Sequence, residues 1–363
     1  MQFNNILNMY NFSAGPSTLP KEVFEEASKA VLNFEQTGLS ILEISHRSRE
    51  FVAVLDEAEQ LVRELLKVPP GYSVLFLHGG ASAQFAQIPL NFLPTDGKAA
   101  YLDTGVWASK AAKEAAKIGH VEVVASSSDR NYSYIPQGYE IPTDAAYFHI
   151  TTNNTIYGTA IFDIPQSPVT LIADMSSDIC SRELDVSQFG LIYAGAQKNL
   201  GPAGLGLVIV KDDLLGRTDR VIPNFFDYNS HIAGKSMYNT PPVFAIYVAL
   251  LNLRWLKEKG GIAAIEQENL IKARALYEEI DRNRFFTGTA DAVDRSRMNV
   301  VFVADGKDTE SAFLQFASER GLVGLKGHRS VGGFRASIYN AMSIQGVHAL
   351  IDSMQAFEDF YTK

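Results

Sequence analysis

Through the first two-thirds of the chain, short apolar runs alternate with longer runs in which apolar residues recur at helical spacing. The apolar runs are typical of buried strands, and the longer runs are typical of helices that cover a sheet. The predicted strands are residues 72–77, 99–102, 121–125, 146–150, 169–173, 191–193 and 205–210. The predicted helices are residues 51–67, 81–92 and 107–117. This alternation indicates an α/β fold built on a mostly parallel sheet.

The pattern changes near Asn239, where alternation gives way to longer helices. The later predicted elements are two long helices, two strands and a closing helix, at residues 242–257, 262–281, 298–303, 334–339 and 344–360. Gly260-Gly261 is the stop signal between the two long helices. We therefore expect a smaller α+β unit at the C-terminus and place the boundary near Lys257.

Composition and charge narrow the class of protein. At 363 residues the chain is long enough for two domains, or for one large domain with an appendage. Its 46% hydrophobic and 20% charged residues are typical of a globular protein. The net charge of -9 argues against nucleic acid as a partner, because a phosphate backbone requires a basic surface. The negative net charge still permits an anionic small-molecule substrate, because a few arginines can make the electrostatic potential of one pocket positive.

Three features bear on where the protein acts. The single cysteine, Cys180, excludes an intramolecular disulfide and fits a reducing compartment. Residues 1–10 lack the basic and apolar regions of a signal peptide. The most apolar long stretch, residues 243–256, is too short to span a bilayer. We therefore expect a cytoplasmic protein with no membrane partner.

Lys198 is the candidate functional residue with the most specific surroundings. It lies in a Gly/Ala/Pro-rich turn between the predicted strands 191–193 and 205–210. A lysine in a desolvated pocket loses basicity and becomes a usable nucleophile, as Schiff-base lysines require. The turn alone is equally compatible with a lysine that points into water. Asp174, at the end of another apolar run, favours the buried lysine, because pyridoxal phosphate enzymes pair such a lysine with a carboxylate that keeps the pyridine nitrogen protonated.

Five motifs, spread over nearly the whole chain, carry a family resemblance. They are residues 11–16 (NFSAGP), 193–199 (YAGAQKN), 239–242 (NTPP), 296–300 (SRMNV) and 326–340, which contain KGHR and GGFRASIYN. By these motifs the chain resembles the phosphoserine aminotransferases, which are class V aminotransferases of the fold-type I pyridoxal phosphate enzymes. The resemblance implies a large cofactor-binding domain, residues 16–257, with a mostly parallel seven-stranded sheet. It also implies a small α+β C-terminal domain, residues 258–363, onto which residues 1–15 fold back.

The resemblance also implies an activity and a cofactor. The activity is a reversible transfer of an amino group between L-glutamate and 3-phosphohydroxypyruvate, which yields O-phospho-L-serine and 2-oxoglutarate in serine biosynthesis. Similar bacterial enzymes also act on 4-phosphohydroxy-L-threonine in pyridoxine biosynthesis. The cofactor is one pyridoxal 5′-phosphate per subunit, held as a Schiff base by Lys198, and no metal is expected.

Cofactor contacts follow residue by residue from the same resemblance. The expected cofactor-binding residues are Ala81, Ser82, Trp107, Thr155, Asp174, Gln197, Lys198, Asn239 and Thr240. Ala81 and Ser82 follow Gly79-Gly80 at a strand-to-helix turn, where a helix N-terminus can bind phosphate. Without the resemblance, this Gly-Gly is more often a plain turn, and Trp107 a core aromatic. With it, Trp107 stacks on the pyridine ring.

Five cationic residues are expected to select the substrate: His46, Arg47, His328, Arg329 and Arg335. A bidentate guanidinium suits the substrate carboxylate, and Arg335, within a predicted strand, fits this role. The cluster Lys326-Gly327-His328-Arg329 suits a distal phosphate, although without the resemblance a solvated turn explains it equally well.

The segment Asn239-Thr240-Pro241-Pro242 has two explanations. Thr240 suits a helix N-cap and the prolines suit the first helical turn, so simple capping is sufficient. The resemblance implies instead a homodimer in which Asn239 and Thr240 reach the cofactor phosphate of the neighbouring subunit. His46 and Arg47 would then approach the substrate across the same interface.

Three alternative functions compete with this assignment. A serine–glyoxylate or alanine–glyoxylate aminotransferase belongs to the same class, but its substrates carry no phosphate for His328 and Arg329 to bind. A cysteine desulfurase is disfavoured because Cys180 lies only six residues after Asp174, outside any mobile-loop signature. A non-catalytic cofactor-binding protein is disfavoured because Lys198, Asp174 and Arg335 are all present.

Overall fold

Residues 9–362 are described by a computed structural model, whose elements follow in chain order. The strands are β1 (Tyr10–Asn11), β2 (Tyr72–His78), β3 (Lys98–Asp103), β4 (His120–Ser126), β5 (Phe148–Thr151), β6 (Asn153–Asn154), β7 (Thr159–Ala160), β8 (Leu171–Asp174), β9 (Leu191–Gly195), β10 (Leu205–Lys211), β11 (Phe286–Gly288), β12 (Asn299–Ala304), β13 (Leu322–Val323) and β14 (Phe334–Ser337). The helices are α1 (Lys21–Leu32), α2 (Arg49–Leu65), α3 (Gly80–Phe92), α4 (Val106–Ala115), α5 (Tyr228–Ala233), α6 (Val243–Glu258), α7 (Gly261–Arg282), α8 (Lys307–Ser318) and α9 (Ile344–Thr362).

A seven-stranded sheet forms the centre of the fold, in the order β2-β10-β9-β8-β5-β3-β4. Strands β9, β8, β5, β3 and β4 are parallel, and β10 is antiparallel to both of its neighbours. The predicted mostly parallel sheet is therefore confirmed. Each strand and helix predicted from the apolar pattern is present, with bounds shifted by only a few residues. Helices α1, α5 and α8 lie outside the predicted elements.

Helices cover both faces of this sheet because alternate strand residues point to opposite sides. Val74 and Phe76 of β2 belong to a core that also contains apolar residues of α1, α2 and α6. Leu75 and Leu77 belong to a second core, on the other face, with residues of α3 and α4. The sheet is thus buried on both sides, which explains why its strands are nearly continuous apolar runs.

A second, smaller unit follows the sheet in the chain. Strands β11, β12 and β14 form an antiparallel sheet, and they share a phenylalanine-rich core with α8, α9 and the later part of α7. Strand β1 pairs in parallel with β13, and Phe12 lies in this same core. Near the start of α7, Ile262 and Ile265 pack in the larger core, whereas Ala273 and Leu276 pack in the smaller one. We propose that the seven-stranded sheet with the cores on its two faces, and the smaller unit with its phenylalanine-rich core, correspond to the domains predicted on either side of residue 257.

Residues 1–8 lie outside the described part of the chain. The expectations that they belong with the small domain and lack a signal peptide therefore stay predictions. Within residues 9–362, no helix combines the length and the apolar character needed to cross a membrane.

The start of α6 corrects one prediction. One of the two explanations for residues 239–242 was simple capping, with Thr240 as the N-cap and the two prolines in the first turn. Helix α6 instead begins at Val243, after Pro242, and no side chain caps it. A residue that precedes a proline is disfavoured in helical conformation, so the paired prolines delay the helix until Val243. Thr240 is exposed and uses its carbonyl oxygen, which contacts His78 Nε2 at 2.8 Å.

Candidate active site

A cavity of about 340 Å³ lies where the carboxyl ends of the parallel strands meet the smaller unit. Open α/β sheets bind ligands at this edge. Nine of the residues predicted from the sequence line it, namely Ala81, Ser82, Trp107, Thr155, Asp174, Gln197, Lys198, His328 and Arg335. These residues come from segments far apart in the chain, and the fold brings them to one place.

Lys198 follows the last strand residue of β9 by three positions and lies in the tight turn that leads into β10. The turn is held by backbone hydrogen bonds from the Lys198 and Gly201 amides to the Ala196 carbonyl, at 2.7 and 2.8 Å. The lysine is only 9% exposed, and its Nζ donates to Thr155 Oγ1 at 2.7 Å. Burial and, to a smaller extent, the nearby Arg335 lower the pKa of Lys198 to about 8, despite the opposing effect of Asp174. The amine is still mostly protonated near physiological pH, but its neutral fraction is far larger than at the ordinary pKa of 10.5.

Asp174 is the last residue of β8 and is almost completely buried. Its Oδ1 accepts hydrogen bonds from Ser176 N at 2.9 Å and Ser176 Oγ at 2.6 Å. Burial raises the pKa of Asp174, while the Ser176 hydrogen bonds and the positive charge of Lys198 act in the opposite direction. The carboxylate is thus held in a defined orientation, and a positively charged partner in the cavity would stabilise its ionised form.

The N-terminus of α3 forms a cradle at one end of the cavity. Gly79 caps this helix in a left-handed conformation, φ 87°, which glycine adopts without steric cost. A Cβ at Gly195 would lie 2.8 Å from Gln197 Oε1 and 3.3 Å from the Ala81 amide nitrogen. The Gln197 side chain and the Ala81 amide therefore face one small space that only a glycine leaves open. Amides at a helix N-terminus and an amide side chain are suitable donors for a phosphate.

Trp107 lies in the first turn of α4, on another wall of the cavity. Gly105, just before this helix, packs so closely that a Cβ there would lie 2.9 Å from Asn154 Oδ1. The close approach holds the start of α4 against the β6 segment. The indole lines the cavity and also packs against the apolar core that α3 and α4 form on this face of the sheet.

Arg335 enters the cavity from β14 of the smaller unit. Its guanidinium makes one long hydrogen bond, from Nη1 to the Thr155 carbonyl at 3.4 Å. Its Nε is buried and has no hydrogen-bond partner within residues 9–362. Burial lowers the pKa of Arg335. A partly buried guanidinium with so few contacts is well suited to bind an anion.

His328 also lines the cavity, and its neighbours in the loop do not. Burial and the nearby Arg335 lower the pKa of His328, and Arg329 adds to the effect. Nδ1 of His328 lies 2.8 Å from Ser330 Oγ, which orients the ring. Arg329 and Lys326 are exposed on the same loop.

Five predicted site residues do not line the cavity: His46, Arg47, Asn239, Thr240 and Arg329. Except for Arg329, they belong to the two segments that were expected to act across a dimer interface. Their roles therefore stay predictions.

Several polar residues that line the cavity were not predicted: Thr151, Asn153, Ser176 and Ser177. Thr151 Oγ1 is buried and lacks a hydrogen-bond partner within the described residues. Ser176 could have been found, because a serine two positions after an aspartate often hydrogen-bonds its carboxylate. Asn153 had no such local signal.

Comparison with known proteins agrees with this geometry. The family model described as aminotransferase class-V matches residues 9–350. A phosphoserine aminotransferase of Bacteroides thetaiotaomicron is 58% identical over 357 residues, which cover 98% of this chain and 100% of the relative.

Solved structures give the same result. A phosphoserine aminotransferase from Bacillus circulans subsp. alkalophilus is 46% identical, with a TM-score of 0.95 and coverage of 98% of this chain and 99% of the other. A PLP-bound phosphoserine aminotransferase from Trichomonas vaginalis is 39% identical, with a TM-score of 0.92 and coverage of 96% and 100%. The chain belongs to the class V aminotransferase family.

Proposed function

We propose that the chain is a phosphoserine aminotransferase that uses pyridoxal phosphate. It transfers an amino group reversibly between L-glutamate and 3-phosphohydroxypyruvate, with O-phospho-L-serine and 2-oxoglutarate as the products. The observation that carries the proposal is the buried Lys198, whose pKa is lowered to about 8, in one cavity with Asp174 and Arg335. The relatives described above carry this name and match the chain over nearly its whole length.

Pyridoxal phosphate fits the residues present. The cradle between Ala81 and Gln197, which a Cβ at position 195 would fill, suits the phosphate. Asp174 is a buried carboxylate that would hold the protonated ring nitrogen, and Trp107 would cover the ring. When bound, the cofactor supplies an aldehyde that combines with amines and a ring that withdraws electrons from the substrate α-carbon.

Lys198 holds and moves protons at Nζ. With a pKa near 8, its amine is a nucleophile near neutral pH and can also act as general base and general acid. Thr155 Oγ1 accepts a hydrogen bond from Nζ and so fixes the direction in which the amine points. Asp174 stays ionised when a positive charge lies beside it, and Ser176 keeps its carboxylate aligned.

Arg335 is proposed to bind the α-carboxylate that both amino-acid substrates share. His328 and Arg329 are proposed to bind the phosphate, and they favour a phosphorylated substrate over those of serine–glyoxylate or alanine–glyoxylate aminotransferases. The same groups would accept 4-phosphohydroxy-L-threonine, which carries the same phosphate and carboxylate. Activity in the cytoplasm is part of this proposal and is supported by the single, buried Cys180.

The direct test is a half-reaction with the purified protein loaded with pyridoxal phosphate. O-phospho-L-serine should change the cofactor absorbance at low concentration, and L-serine should do so only at far higher concentration. A stronger response to L-serine would support the glyoxylate aminotransferase alternative. No response to either amino acid, or to L-glutamate, would contradict the aminotransferase assignment.

Substitution of His328 or Arg329 by Ala should weaken the reaction of O-phospho-L-serine far more than that of L-glutamate. Loss of one charge-assisted contact should lower kcat/KM for the phosphorylated substrate about ten- to a hundredfold. The matched variant is Arg335→Ala, which should impair both substrates alike because both present the same carboxylate. Steady-state kinetics with each substrate provide the measurement. If kcat/KM fell equally for the two substrates in the His328 and Arg329 variants, these residues would not recognise the phosphate.

We further propose that the protein is a homodimer whose active sites are shared between subunits. In support, Asn239 and Thr240 lie outside the cavity, although the family motif assigns them to the cofactor phosphate. Exposed apolar residues, among them Phe24, Leu32, Leu39 and Leu42, provide surface that a second subunit would cover.

Subunit mixing tests the shared site. A Lys198→Ala protomer and an Asn239→Ala/Thr240→Ala protomer should each form inactive dimers. A mixed dimer should contain one site with both an intact lysine and intact partner residues, and should regain activity. The measurement is transaminase activity after the two variants are dissociated and reassociated together. No gain over either parent, with dimers verified by light scattering, would contradict the shared site.

A further inference from the structure

The motif Ser296-Arg297-Met298-Asn299 lies where the smaller unit meets the sheet, just before and at the start of β12. The proposed mechanism assigns no role to it. All four of its side chains contact residues of the larger unit, which is built on the seven-stranded sheet and contains Lys198. We infer that it is a docking motif, which sets the position of Arg335 relative to the cofactor site; this inference rests on the proposed function.

The centre of the contact is Asn153, in β6 on the wall of the cavity. Ser296 Oγ donates to Asn153 Oδ1 at 2.5 Å. Asn153 Nδ2 donates to Asn299 Oδ1 at 2.8 Å and to Ser177 Oγ at 2.8 Å. Ser296 and Asn299 are completely buried. A buried polar network that satisfies its members permits only one arrangement of the two units, because any shift would leave buried groups unpaired.

The other two side chains extend this contact on both sides. The guanidinium of Arg297 lies over the Phe162 ring, 4.3 Å from its centroid. Met298 Sδ accepts a weak hydrogen bond from Asn199 Nδ2 at 3.8 Å, and Asn199 directly follows Lys198. The motif therefore contacts the larger unit at three places, which are Asn153, Phe162 and Asn199. The last of these lies in the same turn as Lys198.

Pairing between β12 and β14 links the position of this motif to the position of Arg335. Asn299 and Ser337 are register partners in β12 and β14, and two positions along the strands Val301 pairs with Arg335. Asn299 Nδ2 also donates to Ser337 Oγ and to Tyr339 Oη, both at 3.0 Å. The Asn299 side chain thus links two parts of the molecule. Its oxygen accepts a hydrogen bond from Asn153 on the cavity wall, and its nitrogen donates to Ser337 in β14, the strand that carries Arg335.

Arg335 needs such support because its own contacts are few. Its hydrogen bond to the Thr155 carbonyl is long, at 3.4 Å, and its Nε is unpaired within residues 9–362. The guanidinium is therefore free to bind a carboxylate, and its distance from Lys198 is set by the backbone of β14. Ser296, Asn153 and Asn299 act as positioning residues for carboxylate recognition.

The test compares two ligands that differ only in the group that Arg335 would bind. O-phospho-L-serine carries the carboxylate, and O-phosphoethanolamine has the same amine and phosphate without it. In Asn299→Ala, KM for O-phospho-L-serine and for L-glutamate should each rise about ten- to a hundredfold, as expected for a binding group displaced by about 1 Å. The inhibition constant of O-phosphoethanolamine and the dissociation constant of pyridoxal phosphate should change less than about twofold.

Asn283→Ala is the matched control, because Asn283 is also a buried asparagine of the smaller unit. Its Nδ2 donates to Glu279 and Met354, within that unit, so its loss should lower stability without changing either KM. If Asn299→Ala does not fold, Ser296→Ala removes one hydroxyl from the same contact and should give the same selective rise in KM. Unchanged KM values, or equal losses for O-phosphoethanolamine and O-phospho-L-serine, would overturn the inference. An inactive wild-type protein would instead contradict the proposed function.

Discussion

Replacement of Lys198 by Ala is expected to abolish transamination, with a loss of at least about 10⁴-fold in turnover. The substitution removes both the nucleophile and the group that transfers the proton, and proton transfer alone contributes about 10²–10⁴-fold. Cofactor should still bind, because the cradle at the start of α3 and Trp107 are unchanged. The measurement is turnover of O-phospho-L-serine with 2-oxoglutarate, together with the dissociation constant of pyridoxal phosphate.

The pH dependence of cofactor uptake gives a second readout for the same lysine. Only the neutral amine is nucleophilic, and burial lowers the pKa of Lys198 to about 8 from an ordinary value of 10.5. Covalent uptake by the wild-type apoprotein should therefore accelerate as the pH rises through about 8, and Lys198→Ala should lack this rise. Lys113→Ala, at an exposed position of α4, is the control and should behave as wild type. Turnover by Lys198→Ala within about tenfold of wild type would contradict the assignment.

Replacement of Asp174 by Asn should leave the fold intact and lower the rate by about 10²–10³-fold or more, the usual loss when one preorganised electrostatic contact is removed. Asn has nearly the same shape and keeps an oxygen that can accept the Ser176 hydrogen bonds. It cannot stabilise a protonated pyridine nitrogen, so the ring becomes a poor electron sink. The measurements are turnover, cofactor affinity and thermal unfolding.

Asp178 provides the matched control for Asp174. It is a second buried carboxylate on the same segment, and burial raises its pKa to about 6. It accepts a hydrogen bond from Thr152 Oγ1 at 2.6 Å and does not line the cavity. Asp178→Asn should therefore affect stability more than turnover. If rate and cofactor affinity were both unchanged in Asp174→Asn, Asp174 would be a structural carboxylate.

Helices and strands were largely predictable because their signal is local. The period of apolar residues depends on the side chains within one element, so β2, α3 and β10 follow from their own sequences. The capping explanation for the start of α6 was wrong for an equally local reason. The sequence offered both a good cap in Thr240 and two prolines, and the conformational restriction before proline outweighed the cap.

The candidate site was predictable where a residue stood out from its own segment. Lys198 in a glycine-rich turn and Asp174 at the end of an apolar run are unusual within their immediate surroundings, and family motifs identified Arg335. Asn153 was missed because an asparagine in a polar loop has no distinctive local pattern. Two of its hydrogen-bond partners, Ser296 and Asn299, lie more than 140 positions away in the chain.

By itself, the sequence determined the α/β class, the order of the elements and the family, and it predicted the two central residues of the candidate site. It could do so because periodicity, turn chemistry and motifs are properties of neighbouring residues. Only the tertiary structure decided that Lys198 Nζ contacts Thr155, that Ser176 aligns Asp174 and that β12 docks on β6 beside Arg335. These contacts depend on how the sheet and the three cores pack, and the burial that lowers the pKa of Lys198 exists only once that packing is complete.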